Sequence, residues 1–236
     1  MFGQVLFEDD DLLIVNKPEN LRVAPIHRWQ GSTLHGRAVA HLGRPPHIIH
    51  RLDMNTTGVT AFAKNKQAAR SLAHQFRSRE CSKDYLALCR RTQLLPASSF
   101  MVDQPLLAHE PGSAVLQRVH CDGLSAQTRV EVLAEVDGSN GPSCLIKASP
   151  ITGRMHQIRV HLAHSGVGIW GDDLYGHVDE AVIARQALHA AVLRIVHPNT
   201  HEQLTITAQL PQDFRDAIET VGLTAQYNDS YLVQSE

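Results

Sequence analysis

The strongest constraint on the fold of this chain is a long succession of short apolar runs, each soon closed by turn-forming residues. Residues 5–8 and 12–16 flank the acidic turn Asp9-Asp10-Asp11, and Lys17-Pro18 closes the second run. Asn20 follows where the chain must turn, and asparagine tolerates positive φ better than most residues. Runs at 59–64, 84–89, 114–120, 127–136, 143–148, 187–196 and 203–208 read as further strands. Asp137-Gly138-Ser139-Asn140-Gly141-Pro142 and His197-Pro198-Asn199-Thr200 supply turns between them. Residues 92–112, rich in Pro, Ser and Gly, read as an outward loop.

Helical periodicity is sparse and irregularly placed. Leu34, Ala38 and Leu42 make one stripe, with Thr33 or Ser32 as N-cap and Gly43 as the stop. Ala69, Leu72, Ala73 and Phe76 make a second, within 67–76. Met155, Ile158 and Leu162 make a third, with Thr152 as N-cap and Gly166 just past the end. A last helix starts near Pro211. Strands that do not alternate regularly with helices argue against a doubly wound parallel sheet. They predict an α+β chain: a single domain over 1–223 with a large, mainly antiparallel mixed sheet flanked by helices, and a tail over 224–236.

Composition narrows the function classes. Among 236 residues, 43% are hydrophobic and 19% charged, which is globular and not disordered. No stretch approaches the roughly 20 apolar residues of a membrane span, and the N-terminus lacks a signal-peptide pattern, so a cytoplasmic, non-membrane protein is expected. Cys81, Cys89, Cys121 and Cys144 form no C-x-x-C pair or zinc spacing and are expected to be reduced. No glycine-rich phosphate loop occurs, and the spacing of His156, His161 and His164 does not suit a helical metal site, so no metal is expected. The net charge of −2 hides an asymmetry. Residues 66–91 hold seven cations (Lys66, Arg70, Arg77, Arg79, Lys83, Arg90, Arg91) against Glu80 and Asp84. A +5 strip on a −7 remainder can be a footprint for phosphates or a solvated face.

The segment most suggestive of chemistry is His50-Arg51-Leu52-Asp53-Met54-Asn55-Thr56-Thr57-Gly58. In extended chain Arg51 and Asp53 share a face while Leu52 points to the other. A carboxylate that must stay ionised in a dry pocket needs a cation beside it, because burial alone raises its pKa. Arg159 and Tyr85 are candidate partners from elsewhere in the chain, but the residues alone do not assemble these three.

The same residues resemble the H-R-L-D-x-x-T-S-G motif of the RluA-type pseudouridine synthases. In the family's order there follow similarities at Lys83-Asp84-Tyr85 (K-x-Y), at 153–162 (G-R-T-H-Q-I-R-V-H), at 169–176 (I-x-G-D-x-x-Y-G) and at Leu188-His189-Ala190, while 13–18 resembles its N-terminal strand motif. Thr57 stands where serine is usual, Met155 where threonine is, and Asn20 where glycine is. The resemblance implies the pseudouridine synthase fold, as a stand-alone catalytic domain without the small N-terminal RNA-binding domain of many members. It implies isomerisation of uridine to pseudouridine in a structured RNA, a tRNA or rRNA stem-loop, with no cofactor and no metal; independently of the resemblance, a monomer is the default expectation. The resemblance assigns catalysis to Asp53, Tyr85 and Arg159. Asp53 acts on the sugar or base, Arg159 keeps it ionised and Tyr85 stacks on the flipped uracil. Arg51 holds the RNA position that the base leaves. His50, Thr56, Thr57, Lys83, Arg154, His156 and Gln157 are the expected substrate contacts.

Overall fold

A computed structural model describes residues 3–25, 32–108 and 116–224. In chain order the elements are β1 (Gln4–Glu8), β2 (Leu12–Lys17), α1 (Leu34–Leu42), β3 (His47–Ile48), β4 (Thr57–Ala63), α2 (Lys66–Ser78), β5 (Ser82–Arg91), β6 (Ser99–Asp103), β7 (Leu106–Ala108) and β8 (Gln117–Val119). They continue with β9 (Gln127–Gly138), β10 (Gly141–Pro150), α3 (Gln157–His164), β11 (Val167–Ile169), β12 (Leu188–Val196), β13 (Gln203–Thr207) and α4 (Gln212–Thr220). The described strand registers are antiparallel, as the short runs and tight turns predict. The chain divides into two compact units, 1–83 with 190–209, and 84–189 with 210–236.

In the first unit the strand order is β1-β2-β4-β12, with β13 on β12 and β3 on β4. The continuous run Leu12–Val15 is wholly buried, as a central strand with both faces covered requires. α2 lays Ala68 and Leu72 against Leu12, Val59 and Leu193 in one apolar cluster. Asn65 caps α2 by accepting from Ala68 N–H at 2.9 Å and donates to Asp11 at 2.6 Å. Thr33 caps α1 by accepting from Gly36 N–H, and Gly43 closes it in the left-handed region, both as expected. Asn20 has φ of 52°.

In the second unit the order is β5-β10-β9-β6, with β11 on β5 and a separate β7-β8 hairpin. The expected loop over 92–112 is corrected here: β6 and β7 are strands. β6 pairs with β9 through the alternation of Phe100 and Val102 against exposed Ser99, Met101 and Asp103, a pattern obscured by the Pro and Ser before it. Residues 109–115, and with them the start of the strand expected from Ala114, lie outside the described residues.

A second correction concerns α3. It starts at Gln157, not near Thr152, and His156 precedes it at φ 54°. Thr152 instead accepts from Gln127 N–H and donates to the Gln157 side chain, so its hydroxyl is spent on the turn. Met155, expected in the buried stripe, is 38% exposed, while Ile158 and Leu162 are buried. Gly166 follows the helix at φ 76°, as expected.

Gly58 shows why the loop after Asp53 ends in glycine. Its φ is +111°, and a Cβ there would stand 2.1 Å from the Ala190 carbonyl oxygen. Both the backbone and the neighbouring strand exclude a side chain. Gly58→Ala is expected to cost about 3 kcal/mol, read as a shifted midpoint in urea unfolding with unchanged slope.

Candidate functional site

The Asp53 loop is fixed from below by a lysine. Lys17, at the end of β2, is 0% exposed. Its Nζ donates to the carbonyls of Pro18, Leu21 and Met54, each at 2.8 Å. Three donors on an ammonium meet three carbonyl oxygens, which compensates the cost of burying the charge. Met54 O also accepts from Leu21 N–H, and Thr56 N–H bonds to Asp53 O across the turn. The loop is thus pinned on both sides of Asn55. Leu52 points into the core at 7% exposure, as alternation predicts, while Asp53 is half-buried and Arg51 exposed. Thr56 and Thr57 are buried.

His50 is turned inward. Its Nε2 accepts from Ala61 N–H at 3.0 Å, and its ring stacks on Phe76 at 5.0 Å and 19°. An acceptor at Nε2 leaves the proton on Nδ1. Burial, with Lys83 adding repulsion, pushes its pKa down to about 3. Lys83 itself is held below the ordinary lysine value by burial, and its ammonium lies 5.4 Å from the centre of the Phe76 ring.

In the second unit, Arg159 is 4% exposed and forms a fork with Asp172: Nε to Oδ2 at 2.7 Å and Nη2 to Oδ1 at 2.6 Å. Asp172 is fixed in turn by accepting from the N–H groups of Leu174 and Tyr175. The guanidinium lies 5.2 Å from the centre of the Tyr175 ring. The Tyr175 hydroxyl accepts from Gln117 N–H and stands 3.0 Å from His156 Nδ1. The αL turn at His156 therefore aims its ring at Tyr175. Tyr85 is half-buried on β5 opposite Ala148, while the neighbouring Asp84 is buried and accepts from Ser149.

Gln157 is a structural tie. It accepts from Thr152 and from Arg154 N–H, and it donates to Gln127 O and Thr128 Oγ1. Thr128 also meets His161 Nδ1, and His161 Nε2 lies 2.9 Å from Gln104 O. A carbonyl only accepts, so Nε2 carries the proton and Nδ1 accepts from Thr128. Burial lowers the His161 pKa accordingly. Arg154 is exposed, with Nε on Ser125 O. Both nitrogens of His161 are committed, which removes it as a metal ligand. Among the described residues, His120, Cys121 and Asp122 bring ligand atoms within 4.8 Å, on an exposed turn.

Sequence reasoning placed Lys17 in a strand motif and Asp172 and Tyr175 in a turn motif but gave none of the three a role in the site. The signal for the last two was the I-x-G-D-x-x-Y-G similarity.

A family model described as RNA pseudouridylate synthase matches residues 11–164, a span that holds Asp53, Tyr85 and Arg159. The chain is 38% identical over 223 residues to the ribosomal large subunit pseudouridine synthase C of Yersinia pestis, covering 91% of this chain and 68% of that protein. It is 35% identical to the dual-specificity RNA pseudouridine synthase RluA of Vibrio vulnificus, covering 84% and 79%. Among solved structures, human RNA Pseudouridylate Synthase Domain Containing 4 aligns with a TM-score of 0.71 at 26% identity, covering 92% of each chain. Domain Containing 1 aligns at 0.73 and 28%, covering 88% and 83%.

Two outcomes are expected from the loop's anchors. Lys17→Met leaves three carbonyls short of a donor and should cost about 3 kcal/mol or more, measured by urea unfolding. His50 is neutral when folded down to about pH 3, whereas in the unfolded chain it protonates near 6.5. Unfolding therefore takes up a proton below pH 6.5, so His50's contribution is intact above that pH and is lost progressively as pH falls toward 3. His50→Gln should flatten this part of the stability–pH curve; an unchanged curve between pH 4 and 6.5 would contradict the buried neutral ring.

Proposed function

Because the chain belongs to the RNA pseudouridylate synthase family, and is on that footing an RNA pseudouridine synthase, we propose that it isomerises uridines in large-subunit rRNA, with Asp53 as the catalytic carboxylate. The pinned loop carries this reading. A half-buried carboxylate is set on a turn held by a buried ammonium and a glycine that tolerates no side chain, the preorganisation that covalent or proton-transfer chemistry demands. Ribosomal RNA is favoured over tRNA because several of the proteins similar to this chain are named large-subunit enzymes. The chain acts as a monomer in the cytoplasm, and residues 1–223 form the catalytic part. Among the described residues no helix is long and apolar enough to cross a membrane.

The chemistry is a balanced rearrangement. The bond from ribose C1′ to uracil N1 breaks, the base turns, and C5 bonds to C1′. C5 then loses its proton and N1 carries one, so nothing is added or removed. Asp53 attacks the sugar or base, or takes a ribose proton, once the uridine has left its stack. Arg51, exposed beside it, holds the RNA where the base was. Tyr85 stacks on the flipped uracil, an interaction worth roughly 1–3 kcal/mol per base. Arg159 is the catalytic cation of this reading. The Asp172 fork fixes the Nε and Nη2 edge of Arg159, so that its guanidinium is oriented before substrate arrives. Arg154, His156 and Lys83 remain candidate RNA contacts. His50, Thr56, Thr57 and Gln157 support the site from within.

Asp53→Asn should abolish pseudouridine formation in transcribed large-subunit rRNA while leaving the unfolding midpoint within about 1 kcal/mol of wild type. Base-resolution pseudouridine mapping checks it. Conversion by a folded variant at the wild-type rate would remove Asp53 from the mechanism.

A further inference from the structure

The fold separates the basic segment 66–91 into unlike parts. Arg91 is committed to Asp137 at 2.8 Å, Arg90 lies over Trp170, and Lys83 is packed beside Phe76. Lys66, Arg70 and Arg77 are instead exposed on α2. At 100° per residue these three fall within about 40° of one another. Their heights along the axis are spaced by about 6 Å and about 10 Å. The opposite side of the helix carries the buried Ala68, Leu72 and Gln75. Exposed Ala73 continues the cationic stripe between Arg70 and Arg77, with His74 beside it.

Helix stability does not account for this stripe. Lys66 sits in the first turn, where the helix dipole disfavours a cation, and no acidic residue stands there. Lys66 and Arg70 are a like-charged i, i+4 pair, which is destabilising. The α2 sequence contains no carboxylate at all. A row of cations whose first two members weaken their own helix, with only Arg77 placed where the dipole favours it, suits an anionic partner with repeating charge. The helix is also bolted to the Asp53 loop within the same unit, since the His50 ring stacks on Phe76 of α2. Phosphates docked on the stripe would be set at a fixed offset from that loop.

Resting on the RNA-modifying reading above, we infer that the outer face of α2 is a phosphate track that grips the RNA backbone through Lys66, Arg70 and Arg77. The strand cations of the same segment take no part in it.

Counterion release makes the inference quantitative. Each phosphate contact contributes roughly 0.7 to 0.9 to the slope of log affinity against log salt. The test measures binding of a fluorescein-labelled stem-loop transcript of large-subunit rRNA between about 50 and 200 mM salt. The triple variant Lys66→Gln, Arg70→Gln, Arg77→Gln should lower that slope by about 2 to 3 and weaken binding at least roughly ten-fold at the low-salt end. Ala73→Lys should raise the slope by about 0.7 to 0.9 and tighten binding. Thr220→Lys, the same charge added on exposed α4, should do neither. An unmoved slope in the triple variant, or Thr220→Lys matching Ala73→Lys, overturns the track. Pseudouridine formation by the wild-type chain is assayed in parallel. If it is absent from every RNA the function reading fails, whereas activity with an unmoved slope sinks the track alone.

Discussion

A buried ammonium under a loop is an unusual way to end a β-strand, and much of the first unit is arranged around it. Lys17 has no exposure, so its charge is tolerable only while all three donors are matched. The matching carbonyls come from Pro18, Leu21 and Met54. Two belong to the turn just after β2, and the third lies one residue past Asp53. The turn must therefore curl back on its own strand, which the positive φ of Asn20 permits. The cost of leaving an ammonium unsatisfied couples two loops 37 positions apart in sequence. Apolar packing could bring these segments near one another. It could not specify which carbonyl of the loop faces inward, and that choice decides where Asp53 is carried.

The second unit uses the same logic with different chemistry. Arg159 and Asp172 are both buried, so neither is stable alone and their fork must close. Gln157 spends its amide on four partners, and the Thr128–His161–Gln104 chain consumes both imidazole nitrogens. Such networks are specific because a shift of one residue strands several polar atoms at once. They explain why an α-helix begins at Gln157 without a side-chain cap: the polar groups that could have capped it hold the preceding turn. His156 is left in the αL region, directed at Tyr175.

Much of this was legible beforehand, for identifiable reasons. Strands with clean alternation and turn residues at their ends were readable, as were the caps Thr33 and Gly43, because local rules decide them. β6 was missed because its alternation spans only five residues inside a Pro- and Ser-rich stretch. The start of α3 was missed because Thr152 has the chemistry of a cap but a tertiary partner claimed it. Asp53 and Arg159 could be picked out from motif order, yet nothing local distinguishes a Lys that ends a strand in solvent from one buried under a loop. Nor does local sequence announce that Arg159 would be forked by Asp172, thirteen residues on. Long-range polar satisfaction is the information that composition and periodicity lack.

The fate of the basic residues carries the same lesson from sequence to surface. As a string, 66–91 is one cationic strip; once folded, it is a helix face and a strand with different neighbours. The strand cations lie against Phe76 and Trp170 or pair with Asp137, off the helix face. Those of α2 stay in water because the opposite face of that helix is committed to Leu12, Val59 and Leu193. Burying Ala68 and Leu72 thus fixes by geometry which face of α2 a nucleic acid could reach. Charge counted along a chain measures potential; the hydrophobic side of the helix determines where that potential is presented.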